Sequence, residues 1–157
     1  MDAPALIREL EWFLFSPDGI WDASIPIAGS RAGAVGFLNL CFLRDEATAA
    51  AQIRRLMQLA RGRYGLVVST RLSSVDSSAL HTLRNADTIL FAGHIHADLK
   101  RIIARCRRVT RRVGLIVSSE SAARQAADLG VDLVVAKGHD RVVCLGARLE
   151  LRPGQRF

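Results

Sequence analysis

The stretch SESAARQAADLGVDLVVAKGHD, Ser119 to Asp140, contains one complete repeat of a fold. Ala122, Ala123, Ala126, Ala127 and Leu129 recur at helical spacing, and Gly130 stands where a helix end calls for a residue free to adopt positive φ. Val131 to Ala136 is a short apolar run rich in β-branched residues, the pattern of a strand buried on both faces of a parallel sheet. The run stops at Lys137-Gly138-His139-Asp140. Polar groups therefore sit just past the strand's C-terminal end, where ligands bind in α/β folds.

Working outward, the same unit recurs. The patterning predicts strands over Trp12–Phe15, Val35–Leu40, Gly65–Ser69, Thr88–Phe91, Val113–Val117 and Asp132–Ala136. It predicts helices over Ala47–Ala60, Ser78–Arg84, Ala97–Arg107 and Ser121–Leu129, the last capped by Ser118 or Ser119. A further helix fits Asp22–Ala32, where Pro26 is tolerated only in the first turn. Strand–helix alternation with short connections implies right-handed βαβ units and a parallel sheet. The regular spacing of strand starts is that of a (β/α) barrel. A complete eightfold barrel takes roughly 200 residues or more, and 157 residues supply six strand–helix units at most. The expected fold is α/β, TIM-barrel-like and incomplete, as one domain over 1–157 with no linker. After Asp140 the character changes: Arg141–Leu151 (RVVCLGARLEL) alternates like a β-hairpin, and Arg152–Phe157 is polar, so 141–157 reads as a divergent C-terminal tail.

Half of the residues are hydrophobic, enough for one sizeable core. No apolar stretch is long and uncharged enough to span a membrane, and the opening MDAPALIRELEWF lacks a secretory pattern. Cys41, Cys106 and Cys144 are odd in number and lack metal-type spacing, which suits a reducing, cytoplasmic setting with idle thiols. The net charge of +7 is partly concentrated in Lys100, Arg101, Arg105, Arg107, Arg108, Arg111 and Arg112. A nucleic-acid or acidic partner is one reading of that run. A solvated outer face is preferred, because Leu99, Ile102, Ile103 and Cys106 form a core stripe between the bases and no aromatic residues interleave.

With the strands parallel, their C-terminal ends share one face. Ser16-Pro17-Asp18-Gly19, Asn39, Ser69-Thr70-Arg71, Gly93-His94, Ser118-Ser119 and Lys137-Gly138-His139 gather there, a set suited to a polar small-molecule ligand. Caps and solvated loops would account for the serines equally well, though less well for the histidines. His94 and His96 could share a metal only from an extended segment, and no third ligand is near, so no metal site is expected. His94 suits a phosphate or substrate contact, and His81 a helix surface. No Ser/His/Asp order, paired-carboxylate spacing, Walker loop or GxGxxG occurs.

SRAGAVGFLNL (Ser30–Leu40), followed by the helix around Ala47–Ala60 and YGLVV (Tyr64–Val68), and VGLIVSSESAARQAADLGVDLVVAKGHD (Val113–Asp140) resemble the nitronate monooxygenase, or 2-nitropropane dioxygenase-like, family. The longer SIPIAGSRAGAVGFLNL (Ser24–Leu40) is also similar to the variant fused to the front of some modular polyketide synthases. The resemblance covers 12–140 and implies an FMN-binding TIM barrel that oxidises alkyl nitronates, or a related flavin-dependent reductase, alone, as a homo-oligomer or within a larger synthase. It implies cofactor contacts from Pro17, Asp18, Ser118, Ser119, Ala136, Lys137 and Gly138. The family's catalytic histidine has no match, because Asp140 is followed by Arg141-Val142-Val143-Cys144; an expected Asn falls on Val67 and another His on Ala92. His139, Asp140 and His94 are the remaining candidates for proton transfer. The competing reading is a non-catalytic barrel fragment that associates through its open edge.

Overall fold

The computed structural model describes residues 11–43, 45–71, 86–138 and 144–145, the last pair by backbone alone. One seven-stranded sheet runs in the order β1 (Phe13–Phe15), β2 (Val35–Asn39), β3 (Tyr64–Ser69), β4 (Ala86–Ala92), β5 (Thr110–Val117), β6 (Leu133–Lys137) and β7 (Cys144–Leu145). Neighbours from β1 to β6 pair in parallel, and β7 adds antiparallel to β6. Four described helices, α1 (Ser24–Arg31), α2 (Glu46–Leu59), α3 (Leu99–Cys106) and α4 (Glu120–Asp128), pack on the outside. The result is an α/β half-barrel, as the strand–helix repeat predicts. The helix expected over Ser78–Arg84, His81, and most of the hairpin and tail after Asp140 lie outside the described residues.

The two periodicities of the chain sort its core into two layers. Outward positions such as Leu38, Leu66, Ile89, Phe91 and Leu115 join Ile53, Leu56, Leu99, Ile102 and Ala126 of the helices. Inward positions Val35, Phe37, Val67, Leu90, Leu133 and Val135 fill the concave side, with Phe13 and Phe15 against them. The pairing is staggered: Phe15, Phe37, Gly65, Thr88 and Arg112 lie in one inward row, and Asn39, Val67, Leu90, Gly114 and Leu133 in the next. Such stagger accompanies the tilt that curls a sheet into a barrel. Close approach dictates two glycines. A Cβ on Gly36 would lie 1.9 Å from Pro26 O of α1, and one on Gly65 would lie 2.5 Å from the Phe37 ring.

Caps follow the sequence. Asp45 accepts from the Ala47 and Thr48 amides at the start of α2, and Ser119, one of the two expected residues, accepts from the Ala122 amide at the start of α4. Pro26 stands in the first turn of α1. The stripe Leu99, Ile102, Ile103 and Cys106 is buried.

Arg112 departs from the expected outer face. It sits on the concave side near the start of β5, 20% exposed, because its strand position faces inward in register with Thr88. Its Nε donates to Thr88 Oγ1 at 3.0 Å, and its terminal nitrogens reach Glu11 Oε2 at 2.7 Å and Asp87 Oδ2 at 2.5 Å. Arg63 also pairs with Glu11. Arg107 bonds to Gly130 O and Asp132, and Arg101 pairs with Asp98, so several arginines of the basic run are held by partners. No helix among the described residues is long and apolar enough to cross a membrane.

Burial pushes the Glu11 carboxyl up, but the hydrogen bond and charge of Arg112, with Arg63 beside them, outweigh it and hold the group below its ordinary value of 4.5. A lowered carboxylate pKa contributes stability that is complete above the unfolded value and is lost as pH falls through the folded one. Arg112→Met should therefore cost about 2–3 kcal/mol at pH 7. The deficit, measured by urea unfolding, should shrink on acidification, as the Glu11 carboxyl left buried without Arg112 takes up a proton. A deficit independent of pH would assign Arg112 to packing alone.

Candidate functional site

The C-terminal strand ends surround a cleft of about 650 Å³, within the size range of small-molecule sites. Its floor is the last inward layer: Phe13, Phe15, Val67, Ala92 and Ile116. Phe15 stacks on Phe37 with centroids 4.9 Å apart and ring planes 14° apart, and Phe13 meets Phe37 edge-on at 5.3 Å. The rim is polar. Ser16, Pro17 and Asp18 leave β1, Asn39 ends β2 ahead of Cys41 and Phe42, and Ser69 and Arg71 leave β3. Gly93 and His94 follow β4, and Lys137 ends β6.

A hydrogen-bonded chain fixes one side of that rim. The Asn39 amide N–H donates to Ser16 Oγ at 2.8 Å, and both residues are buried. Asn39 Oδ1 accepts from the Cys41 amide at 3.0 Å, which leaves Nδ2 to donate to Asp18 Oδ1 at 2.6 Å. Lys137 Nζ reaches Asp18 Oδ2 at 3.4 Å from across the cleft, with both side chains about half exposed. An ion pair that open contributes well under about 1 kcal/mol. Its value is positional, since it ties the exit of β6 to that of β1. Burial first, then the nearby Asp18 charge, pushes the Cys41 thiol to about 12 against the opposing pull of Lys137. The thiol stays protonated at neutral pH and is no nucleophile.

The expected ligand residues divide between two places. Pro17, Asp18, His94 and Lys137 line the main cleft. Ser118, Ser119, Ala136 and Gly138 line a second hollow of about 360 Å³ at the start of α4, and Lys137 belongs to both. The division has a simple cause: Ala136 alternates with Lys137 along β6, so the two face opposite sides of the sheet. His139 and Asp140 lie outside the described residues. His94 and His96 do not act together. His94 is exposed on the rim, whereas His96 Nε2 lies 2.7 Å from Thr70 O. Among the described residues no group of three or more His, Cys, Asp or Glu could hold a metal.

Sequence reasoning missed the aromatic floor and the place of Cys41 and Phe42. The period-2 recurrence of Phe13 and Phe15 in a strand was the available signal. Thr70, expected among the strand-end residues, has its Oγ1 buried without a hydrogen-bond partner among the described residues, where it would lie 2.5 Å from a Cβ on Gly93. An apolar floor under a polar rim, with open space in the neighbouring hollow around Gly138, where an added Cβ meets nothing within 4 Å, leaves room for a ring system.

No protein-family model and no curated protein matches the chain. Solved structures do. FabK from Thermotoga maritima aligns with a TM-score of 0.62 at 19% identity, covering 84% of this chain and 42% of that one. Nitroalkane oxidase from Streptomyces ansochromogenes aligns with a TM-score of 0.63 at 18% identity, covering 84% of this chain and 48% of that one. The fold is shared with these proteins, and the chain spans less than half the length of each.

The Asn39 chain makes a sharp expectation. Asn39→Ala should cost about 1–2 kcal/mol by stranding the Cys41 amide and loosening Asp18. Asn39→Asp should cost more at pH 7, since it can donate nothing to Asp18 and sets two carboxylates face to face. Its deficit in thermal unfolding should narrow on acidification, whereas that of Asn39→Ala should not.

Proposed function

We propose that this chain belongs to a flavin-dependent oxidoreductase of the nitronate monooxygenase class, with FMN as cofactor and a small molecule as substrate. The observation that carries the reading is the position of the cleft: at the C-terminal ends of parallel barrel strands, over an aromatic floor. The resemblance of Val113–Asp140 to the family supports it, as does likeness to a structure named nitroalkane oxidase.

Bound there, FMN supplies a two-electron acceptor. The residues placed to hold its ring are Pro17, Asp18 and Lys137 at the cleft, with Ser118, Ser119, Ala136 and Gly138 beside it. Phe13 and Phe15 exclude water from the floor. His94, on the rim, is positioned to accept a proton from a substrate there, and His139 and Asp140 remain sequence candidates for that role. The phosphate-binding loops of such barrels come from the last strands, which the described residues do not include. Those strands would be supplied by another copy or by a larger synthase, as the polyketide synthase resemblance suggests.

The test is FMN titration into the full chain, followed by absorption and fluorescence after removal of excess. The wild type should retain flavin. Gly138→Trp should bind at least about tenfold more weakly with unchanged thermal stability, because the new ring fills open space rather than core. A wild type that retains no FMN would sink the reading.

One observation favours a second reading, association. Five exposed large hydrophobics, Trp12, Leu14, Ile20, Trp21 and Ile25, crowd the end of the sheet where β1 has a single described neighbour. Sedimentation velocity should show concentration-dependent self-association that Trp12→Glu weakens. A wild type that stays monomeric at high concentration would remove this reading.

A further inference from the structure

The charges around the main cleft are unevenly satisfied. Among the described residues its rim carries one carboxylate, Asp18, against the side chains of Arg71, His94 and Lys137. Asp18 is engaged twice, by Asn39 Nδ2 at 2.6 Å and by Lys137 Nζ at 3.4 Å. Lys137 is thereby partly neutralised. Arg71 is placed differently. It is the second residue past β3, is exposed, and its backbone N–H donates to Ser69 Oγ at 3.2 Å. Among the described residues its guanidinium has no carboxylate partner. A guanidinium presents its donors in a planar fork that matches a two-oxygen anion. Here the fork borders a cleft whose floor is apolar, with Phe15 stacked on Phe37 and Phe13 edge-on to it.

We propose that Arg71 is the residue that selects for charge at this cleft, its guanidinium anchoring the anionic group of the substrate. This rests on the reading of the strand-end cleft as the substrate site. It adds the residue that selects for charge, a planar fork matched to a two-oxygen anion. Lys137 cannot serve equally well, because drawing it to a ligand would release Asp18 beside the same anion. Arg71 can turn to a ligand without giving up a described ion pair.

The test is calorimetric titration of the full-length chain with 1-naphthoate and with its uncharged counterpart 1-naphthamide. Wild type, Arg71→Gln and Arg71→Lys are compared, with a thermal melt of each. The wild type should prefer naphthoate by about tenfold, the size of one charge-assisted contact. Arg71→Gln should abolish that preference by weakening naphthoate alone, Arg71→Lys should keep part of it, and all three should melt alike. Equal weakening of both compounds, no effect of Arg71→Gln, or no binding of naphthoate by the wild type would overturn the proposal.

None of these readouts uses flavin. A protein that prefers naphthoate through Arg71 yet retains no FMN keeps this proposal and defeats the flavin reading. FMN affinity that falls in Arg71→Gln while riboflavin affinity does not would assign Arg71 to the cofactor's phosphate and overturn the substrate role.

Discussion

The Arg112 guanidinium holds together strands that are distant along the sheet. It bonds to Glu11 just before β1, to Asp87 and Thr88 in β4, and through Glu11 is joined to Arg63 before β3. Burying one cation among two carboxylates succeeds only when each is matched, because an unmatched charge in that position is costly. A flat sheet would hold β1 four strands away from β5. Their contact through Glu11 and Arg112 requires the sheet to curl, and the staggered register supplies that curl.

The opposite end of the concave side has another character. There the strand ends are joined by Lys137 and Asp18, a looser pair in contact with solvent. Between the two ends lies a layer of Val, Leu and Phe side chains, with glycines where Phe37 and Leu90 need room. One end of the half-barrel is thus closed by matched, largely buried charge and the other opens into a cleft over aromatic rings. This is the usual division of labour in barrels, where one face serves stability and the C-terminal face carries the ligand. The cleft inherits its shape from the packing below it: Phe15 rests flat on Phe37, and the rim chain Ser16–Asn39–Asp18 holds β1 against β2 just above.

Much of the architecture was legible because each part has a local cause. Leu99, Ile102, Ile103 and Cys106 mark a buried stripe whatever they pack on, and Ser119 caps α4 through an amide three residues away. The strand ends could likewise be read as a polar set. What stayed hidden were relations between distant positions. Arg112 looks like its neighbours in a basic run, and nothing local says that its strand turns it inward to meet Glu11. Ala136 and Lys137 are adjacent in sequence and share the second hollow, but the strand's alternation lets only Lys137 reach the main cleft as well.

The chain's own order of residues therefore specified the repeat, the parallel sheet, its incompleteness and the face on which polar groups collect. Those follow from periodicity, caps and the length of each unit, which act over a few residues. Only the folded molecule decided which of those polar groups share a cavity and which are already satisfied. Asp18 is taken by Asn39 and Lys137, Cys41 is silenced by burial, and Arg71 remains to face the cleft without an ion-pair partner among the described residues. That outcome depends on the curl and stagger of the sheet, which set distances between residues far apart in sequence and so cannot be written into any one segment.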